Sequence, residues 1–358
     1  MIAGAHVPFD WILQPCKPAS AEHRARALAR QDQLTKPQGA LGRIESLAVE
    51  LCALQATDRP RAQHAPVLVF AGDHGVVAQG VSAFPSEVTV QMLHNFTAGG
   101  AAIAVLAREL HLPLRVIDAG TLAEEAMAGV VTDKPRRGTR DFCIEPAMTQ
   151  EELEHALAAG RRAVSAFERA DLFILGEMGI GNTTAASALA CAISGHASEE
   201  LVGAGTGLDE VHVRRKQAVV ERALELHRLD IADSAQPASD ILRRLGGLEI
   251  AAMVGAMVAS AQRGIPVLVD GFIVTSAALA AAALNPHVRP WLLFSHQSAE
   301  RGHARVLAAM QAQPLLQLDL RLGEGSGAAL ALPLLRLACA LHNGMATFAE
   351  AAVSGRDA

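Results

Sequence analysis

The chain has no tyrosine, and with two tryptophans and ten phenylalanines its aromatic residues make up only 3% of 358 positions. A core without large rings is built from small aliphatic side chains, which let helices approach a sheet or one another closely and favour layered α/β packing. Cysteine is scarce as well. Cys16, Cys52, Cys143, Cys191 and Cys339 are scattered, odd in number and free of any C-x-x-C pair. That pattern argues against a disulfide framework and a thiolate zinc site, and fits a reducing cytoplasm. Charge of neither sign dominates, since 31 Lys+Arg against 37 Asp+Glu leave a net charge of −6. Such a balance offers nucleic acid no general attraction, so any anionic ligand must be held locally. No basic stretch precedes an apolar run at the N-terminus, which argues against a signal peptide. The most apolar stretches, residues 251–261 and 271–284, are too short to span a bilayer and read as buried helices.

What is present is a globular balance of 51% hydrophobic and 19% charged residues. The length exceeds that of one compact unit, so a main domain with a smaller companion is expected. Val67–Phe70, Leu114–Ile117, Leu172–Leu175, Val267–Val269 and Trp291–Phe294 are short β-branched or leucine-rich runs, apolar but for Arg115, each followed by a helical pattern. Runs of this kind predict strands buried on both faces of a mainly parallel, Rossmann-like sheet flanked by helices. Ligands of such sheets bind beyond the carboxyl ends of the strands, where polar, glycine-bearing turns stand in this chain. Leu41, Ile44, Leu47, Ala48, Leu51 and Leu54 recur at helical spacing after a break at Lys36-Pro37 and Gly39. Residues 328–352 are again helical in character, with breaks expected at Pro333 and Asn343-Gly344. Residues 1–60 with 328–358 therefore form a candidate small helical domain, and 61–327 the α/β domain.

Five segments invite a reading as candidate chemistry. Gly176-Glu-Met-Gly-Ile-Gly-Asn-Thr-Thr184 is a glycine-rich turn from strand to helix, where free backbone amides can face an anion. A tight turn with a hydroxyl cap explains it equally well. Glu177 favours function, because a carboxylate beside an anion cradle is unfavourable unless it meets a ligand hydroxyl or positive charge. Gly203-Ala-Gly-Thr-Gly-Leu-Asp209 precedes a helix with Arg214, Arg215 and Lys216, any one of which is either a phosphate partner or part of a solvated helix end. Asp73-His74 resembles part of a charge relay, although no nucleophile elbow accompanies it. His296, Glu300 and His303 have the spacing of one helix face but no metal-binding motif, and are not taken as a metal site. Finally, Arg321-Leu-Gly-Glu-Gly-Ser-Gly327 sets one carboxylate between glycines. It is a candidate proton acceptor if shielded from water, and an ordinary turn if not.

Taken together, these segments resemble the nicotinate-nucleotide–dimethylbenzimidazole phosphoribosyltransferase family. The likeness extends over residues 36–45, 70–75, 80–85, 176–184, 203–209, 270–271, 295–296 and 321–327, in order along nearly the whole chain. The resemblance implies a Rossmann-like domain with a small helical domain, and a homodimer with its active site near the interface. It implies transfer of a 5-phosphoribosyl group from nicotinate mononucleotide to a benzimidazole-type base, with no metal and no cofactor. The family's catalytic glutamate falls on Glu324 and its phosphate loop on Gly179, Gly181, Asn182 and Thr183, completed by Gly205, Lys216 and Ser295. Glu177 would meet the ribose, and Ser82 and Gln91 the base. Two other readings compete. An NAD-dependent oxidoreductase rests on the imperfect fingerprint Gly179-Ile-Gly181-Asn-Thr-Thr184 with Glu199 or Glu200 beyond it. A non-catalytic nucleotide sensor would use the same pocket.

Overall fold

A computed structural model describes residues 9–205, 209–227 and 237–354. Six strands, β1 (Val67–Gly72), β2 (Leu114–Gly120), β3 (Val130–Thr132), β4 (Phe173–Met178), β5 (Val267–Val269) and β6 (Leu292–Phe294), form one sheet. Their order is β3-β2-β1-β4-β5-β6, and every neighbouring pair is parallel. All six residues of β1 are buried, as a strand covered on both faces by helices requires. Five strands coincide with the expected apolar runs. The sixth, β3, is additional to them, because Val130-Val-Thr132 is a short edge strand whose residues are half-buried or exposed. From β1 the chain moves outward through β2 and β3, then returns to the opposite side of β1 as β4. Connections therefore diverge between β1 and β4, which opens a crevice at their carboxyl ends.

Thirteen helices surround the sheet among the described residues: α1 (Ala21–Gln33), α2 (Arg43–Gln55), α3 (Glu87–Ala98), α4 (Ala102–Glu109), α5 (Gln150–Ser165), α6 (Asn182–Ser194), α7 (Ser198–Leu201), α8 (Glu210–Leu226), α9 (Ala238–Leu245), α10 (Leu248–Arg263), α11 (Phe272–Leu284), α12 (His303–Ala309) and α13 (Ser326–Gly344). The stretches 251–261 and 271–284 are α10 and α11, and both are almost wholly buried. The small side chains have a direct structural use where α5 crosses α10. A methyl group at Gly160 would lie 1.8 Å from the Ala252 carbonyl oxygen, and one at Gly255 2.0 Å from that of Leu157. Only glycine allows this approach. α5 itself begins with a capping box in which Thr149 and Glu152 satisfy each other's backbone amides. Residues 87–109 are apolar enough to cross a bilayer by length and composition, but Gly99, at φ +81°, divides them into α3 and α4.

The helices near the two termini meet. Ala27 of α1 packs with Val49 and Cys52 of α2, and Leu47 and Ala48 of α2 pack with Ala338 of α13. An antiparallel bridge joins Leu34 to Thr347. The first half of α13, including Ala328, Ala331, Leu332 and Leu335, belongs instead to the main core. One expectation is corrected here, since Pro333 does not break the terminal helix. α13 runs straight through it. Proline removes one helical hydrogen bond, at a cost of about 3 kcal/mol, and burial of Leu332 and Leu335 on either side holds the helix together.

Candidate active site

A cavity of about 360 Å³ opens at the carboxyl ends of β4, β5 and β6. Its polar wall includes Glu177, Asn182, Thr183, His296, Ser298 and Glu324, and its apolar wall includes Phe84, Val88, Met92, Met178, Ile273 and Leu322. The turn after β4 is shaped by close backbone approach. A side chain at Gly179 would lie 2.1 Å from the Gly72 carbonyl oxygen, and Gly181 starts α6 from the left-handed region at φ +94°. The amide of Ile180 donates to the Thr89 hydroxyl at 3.1 Å, fixing the turn from α3. α6 has no side-chain cap; the amides of Asn182 and Thr184 bond the carbonyls of Gly179 and Gly181, and the positive dipole end of the helix, where an anion is favoured, lies at the cavity wall formed by Asn182 and Thr183.

Lys216 reaches the same place from α8. Its neighbours Arg214 and Arg215 face outward, whereas Lys216 is 1% exposed and donates to the Thr183 hydroxyl at 2.7 Å. Burial pushes its ammonium down to about 8, opposed by the charge of Glu300. No carboxylate lies within 4 Å of it among the described residues. A buried cation without an ion-pair partner is costly to keep unless a ligand supplies the opposite charge. Gly205, at φ +54°, closes the group, since a methyl group there would stand 2.9 Å from Thr183 Oγ1 and 3.2 Å from Lys216 Nζ.

Two carboxyl groups face this cradle. Glu177, the penultimate residue of β4, is 5% exposed, and burial together with the charges of Asp270, Glu249 and Glu324 pushes it up to about 8. Asn182 Nδ2 donates to it and opposes that shift. Near neutrality Glu177 is therefore mostly a neutral acid, able to donate a hydrogen bond. Glu324 is 6% exposed and adopts φ +64° between Gly323 at +91° and Gly325 at +87°. Three successive left-handed residues, the middle one not glycine, are a strained arrangement of the kind retained at functional sites. The strand beneath accommodates the loop only because residue 176 is glycine, where a methyl group would lie 2.2 Å from the Glu324 carbonyl oxygen. Glu324 N donates to the Glu177 carbonyl at 3.2 Å, and Glu324 Oε2 accepts from Ile103 N at 3.2 Å. Burial raises its proton affinity and the charge of Asp270 adds to this, while the amides of Ile103 and Ala102 oppose it.

Of the residues singled out in the sequence, Glu324, Glu177, Gly179, Asn182, Thr183 and Gly205 line the cavity. Gly181 and Lys216 stand directly behind that wall. Ser295 is buried beside His296, and its hydroxyl has no hydrogen-bond partner among the described residues. Ser82 and Gln91 are not on the wall. The Ser82 hydroxyl closes a local turn with the backbone of Phe84, whereas Gln91 is exposed on α3 between the wall residues Val88 and Met92. Thr206, Gly207 and Leu208 of the second glycine loop lie outside the described residues. His74 is buried behind the cavity, 2.7 Å from the Glu249 carboxylate, and orders its turn. His296, Glu300 and His303 do not share a helix, because α12 starts only at His303. His303 bonds Thr275 and the amide of Ser298 instead. Among the described residues no group of three or more metal-ligating side chains is placed to hold an ion. Glu199 and Glu200 lie on α7 rather than at a strand end, and Glu200 pairs with His196 and Arg305. The dinucleotide fingerprint thus lacks its ribose-binding acid.

Sequence reasoning placed Asp270, His296 and Ser298 in polar turns at strand ends, where ligands of parallel sheets bind, but gave Asp270 and Ser298 no individual role and weighed His296 only as a discounted metal ligand. The apolar wall from α3 had no such signal.

An anion cradle at the switch point of a parallel sheet, opposed by recessed carboxyl groups, suits an enzyme that handles a phosphorylated sugar. The phosphoribosyltransferase family model DBI_PRT matches residues 16–353, and the chain belongs to that family. It is 63% identical over 351 residues to the nicotinate-nucleotide–dimethylbenzimidazole phosphoribosyltransferase of Bradyrhizobium sp. (strain ORS 278), covering 98% of this chain and 99% of that one. Identity to the enzyme of the same name from Pseudomonas aeruginosa is 58% over 353 residues, again covering 98% and 99%. The crystal structure of the enzyme of that name from Thermus thermophilus superposes with a TM-score of 0.88 at 44% identity, covering 94% of this chain and all of the other.

Proposed function

We propose that this chain transfers the 5-phosphoribosyl group of nicotinate mononucleotide to 5,6-dimethylbenzimidazole or a related base. Nicotinate is released, and the product is the α-nucleotide used for the lower ligand of cobalamin. The observation that carries this reading is the recessed, left-handed Glu324 set across one cavity from a buried lysine that has no carboxylate partner among the described residues. Lys216, Thr183, Gly205 and the start of α6 hold the nucleotide phosphate, with Gly179, Gly181, Asn182 and the nearby Ser295 shaping that cradle. The apolar wall of Phe84, Val88, Met92 and Ile273 suits a flat bicyclic base. Ser82 and Gln91 remain proposed contacts of that base, adjoining this wall.

In nicotinate mononucleotide the ring nitrogen is already cationic, so cleavage of its bond to C1′ neutralises the ring and expels it without protonation. One nitrogen of the benzimidazole attacks C1′ while Glu324 removes the proton from the other, so positive charge does not accumulate on the base. Attack opposite the leaving ring inverts C1′ and gives the α-anomer. Glu177, mostly protonated near neutrality, donates to a ribose hydroxyl. Both substrates are held in one cavity, which removes much of the entropic cost of the encounter.

Two further elements belong to the proposal. A homodimer is supported by Leu330 and Leu337, exposed seven residues apart on α13, with Val105 exposed on the adjoining α4. Residues 1–60 with 328–358 acting as a small helical unit is supported by the packing of α1 on α2 and of α2 on α13. The five cysteines are all free, in keeping with a reducing cytoplasm.

Glu324→Gln tests the reading. It is expected to leave nicotinate mononucleotide binding within a few fold and to slow turnover by about 10²–10⁴-fold, the range for loss of a general base. Chromatographic assay of nicotinate release and calorimetric titration of the nucleotide measure both. A variant with near-normal turnover would remove Glu324 from the role of base.

A further inference from the structure

The loop that carries Glu324 ends in α13, whose N-cap residue is Gly325 and therefore offers no side-chain cap. The missing cap comes from the end of another strand. Asp270, which follows β5, accepts from Gly325 N through Oδ2 at 3.1 Å and from Ala328 N through Oδ1 at 2.9 Å. Those amides are the ones that the two partners of a capping box would satisfy from within the helix. Here one carboxylate does both from 55 and 58 residues away. It is 1% exposed and sits at the positive end of the α13 dipole, where negative charge is favoured. His296 Nε2 stands 3.6 Å from Asp270 Oδ1. Nothing larger than hydrogen fits between these groups and the loop, since a methyl group at Gly327 would lie 2.2 Å from His296 Cδ2 and 2.9 Å from Asp270 Oδ1.

We infer that Asp270 is a positioning residue for the transfer reaction, clamping the Gly323–Gly325 loop in its left-handed form and placing its carboxylate behind the Glu324 backbone. The loop needs such a clamp. A non-glycine residue at φ +64° flanked by two glycines relaxes unless the surrounding structure over-determines it. Gly325 N bonds Asp270 immediately after Glu324, and Glu324 N bonds the Glu177 carbonyl immediately before its side chain. The backbone is thus held on both sides of the reacting carboxyl. Its electrostatic surroundings are Glu177 from β4, Asp270 from the end of β5, His296 from the end of β6 and Arg321 in its own loop. α4 contributes the Ile103 amide, and the cavity-facing Val88 and Met92 of α3 carry no charge. The charge of Asp270 raises the proton affinity of both Glu324 and Glu177.

The inference rests on Glu324 being the base, and two variants separate its failure from failure of that reading. Asp270→Asn keeps the shape and one acceptor oxygen but removes the charge, and Asp270→Ser keeps only a hydroxyl. Both are expected to lower kcat by about 10- to 100-fold, the effect of a displaced catalytic group. The dissociation constant of nicotinate mononucleotide should stay within about threefold, because the phosphate cradle is untouched. In both, the acidic limb of the kcat–pH profile, measured with both substrates saturating, should move to lower pH. A role confined to stability would leave that limb in place. Wild-type kcat, an unmoved limb, or loss of the cooperative thermal transition in both variants would each overturn the inference. Should Glu324→Gln retain turnover, the base assignment fails first. If that variant is inactive while Asp270→Asn behaves as wild type, the clamp alone is refuted.

Discussion

Glu177→Gln isolates the consequence of burying a carboxyl group among three others. In the folded protein the Glu177 carboxyl is pushed up to about 8 from an ordinary 4.5, first by burial and then by the charges of Asp270, Glu249 and Glu324. Below about pH 4.5 folded and unfolded chains are both protonated there, and the group favours neither. Between about pH 4.5 and 8 the unfolded chain releases the proton while the folded chain keeps it, so stability falls steadily across that window and levels off above it. At about 1.4 kcal/mol per pH unit the loss is at most on the order of 5 kcal/mol, and relaxation around the ionised group reduces it by roughly half. An unfolding entropy of about 2.1 cal/mol/K per residue, taken over the whole chain, translates this into roughly 3–6 °C of melting temperature. Glutamine is nearly isosteric with the protonated acid and can still accept from Asn182. The variant should match wild type near pH 4.5 and exceed it by those few degrees at about pH 8, while losing activity if the ribose needs the carboxyl group. Scanning calorimetry of the ligand-free protein in half-unit pH steps measures the difference. Parallel melting curves for variant and wild type would refute the reasoning.

Lys216→Met should weaken nicotinate mononucleotide binding by roughly 10- to 100-fold, the worth of one charge-assisted hydrogen bond to phosphate. In the wild-type protein the affinity should decline as pH rises past about 8, where the ammonium loses its proton, and in the variant that decline should be absent. Titration calorimetry on either side of that pH checks both, and an unchanged dissociation constant would remove Lys216 from the phosphate site. Gly255→Ala should force α5 and α10 apart, because its methyl group would meet the Leu157 carbonyl oxygen at 2.0 Å, and should destabilise the fold by about 1–3 kcal/mol. Urea denaturation measures this, and a change below about 0.5 kcal/mol, the scatter of neutral substitutions, would show that the crossing has slack.

Much of the scaffold was legible from local pattern alone. Five of six strands were visible because a strand buried on both faces is apolar at nearly every position along a β-branched or leucine-rich run, whereas β3 lies at the edge, needs only three residues and leaves no such run. The terminal helix follows the expected pattern, but the expected break at Pro333 does not occur, because packing of α13 outweighs a local preference. The site divides in the same way. Gly181 and Gly205 answer a local demand, their left-handed backbone angles, whereas Gly179 is required by the approach of the Gly72 carbonyl from another strand. Lys216 is indistinguishable in the sequence from Arg214 and Arg215, and only the path of α8 turns it inward.

Glu324 shows where the division falls. The sequence by itself determined that one carboxylate stands between two glycines able to adopt left-handed backbone angles, since that depends on residues 323 to 325 and no others. Tertiary structure alone decided that this loop lies over Gly176, accepts an amide from the start of α4, is capped by Asp270 and faces Glu177. Those partners come from segments far apart in the chain. Proton affinity depends on burial and on charges through space, and neither is written in the order of residues.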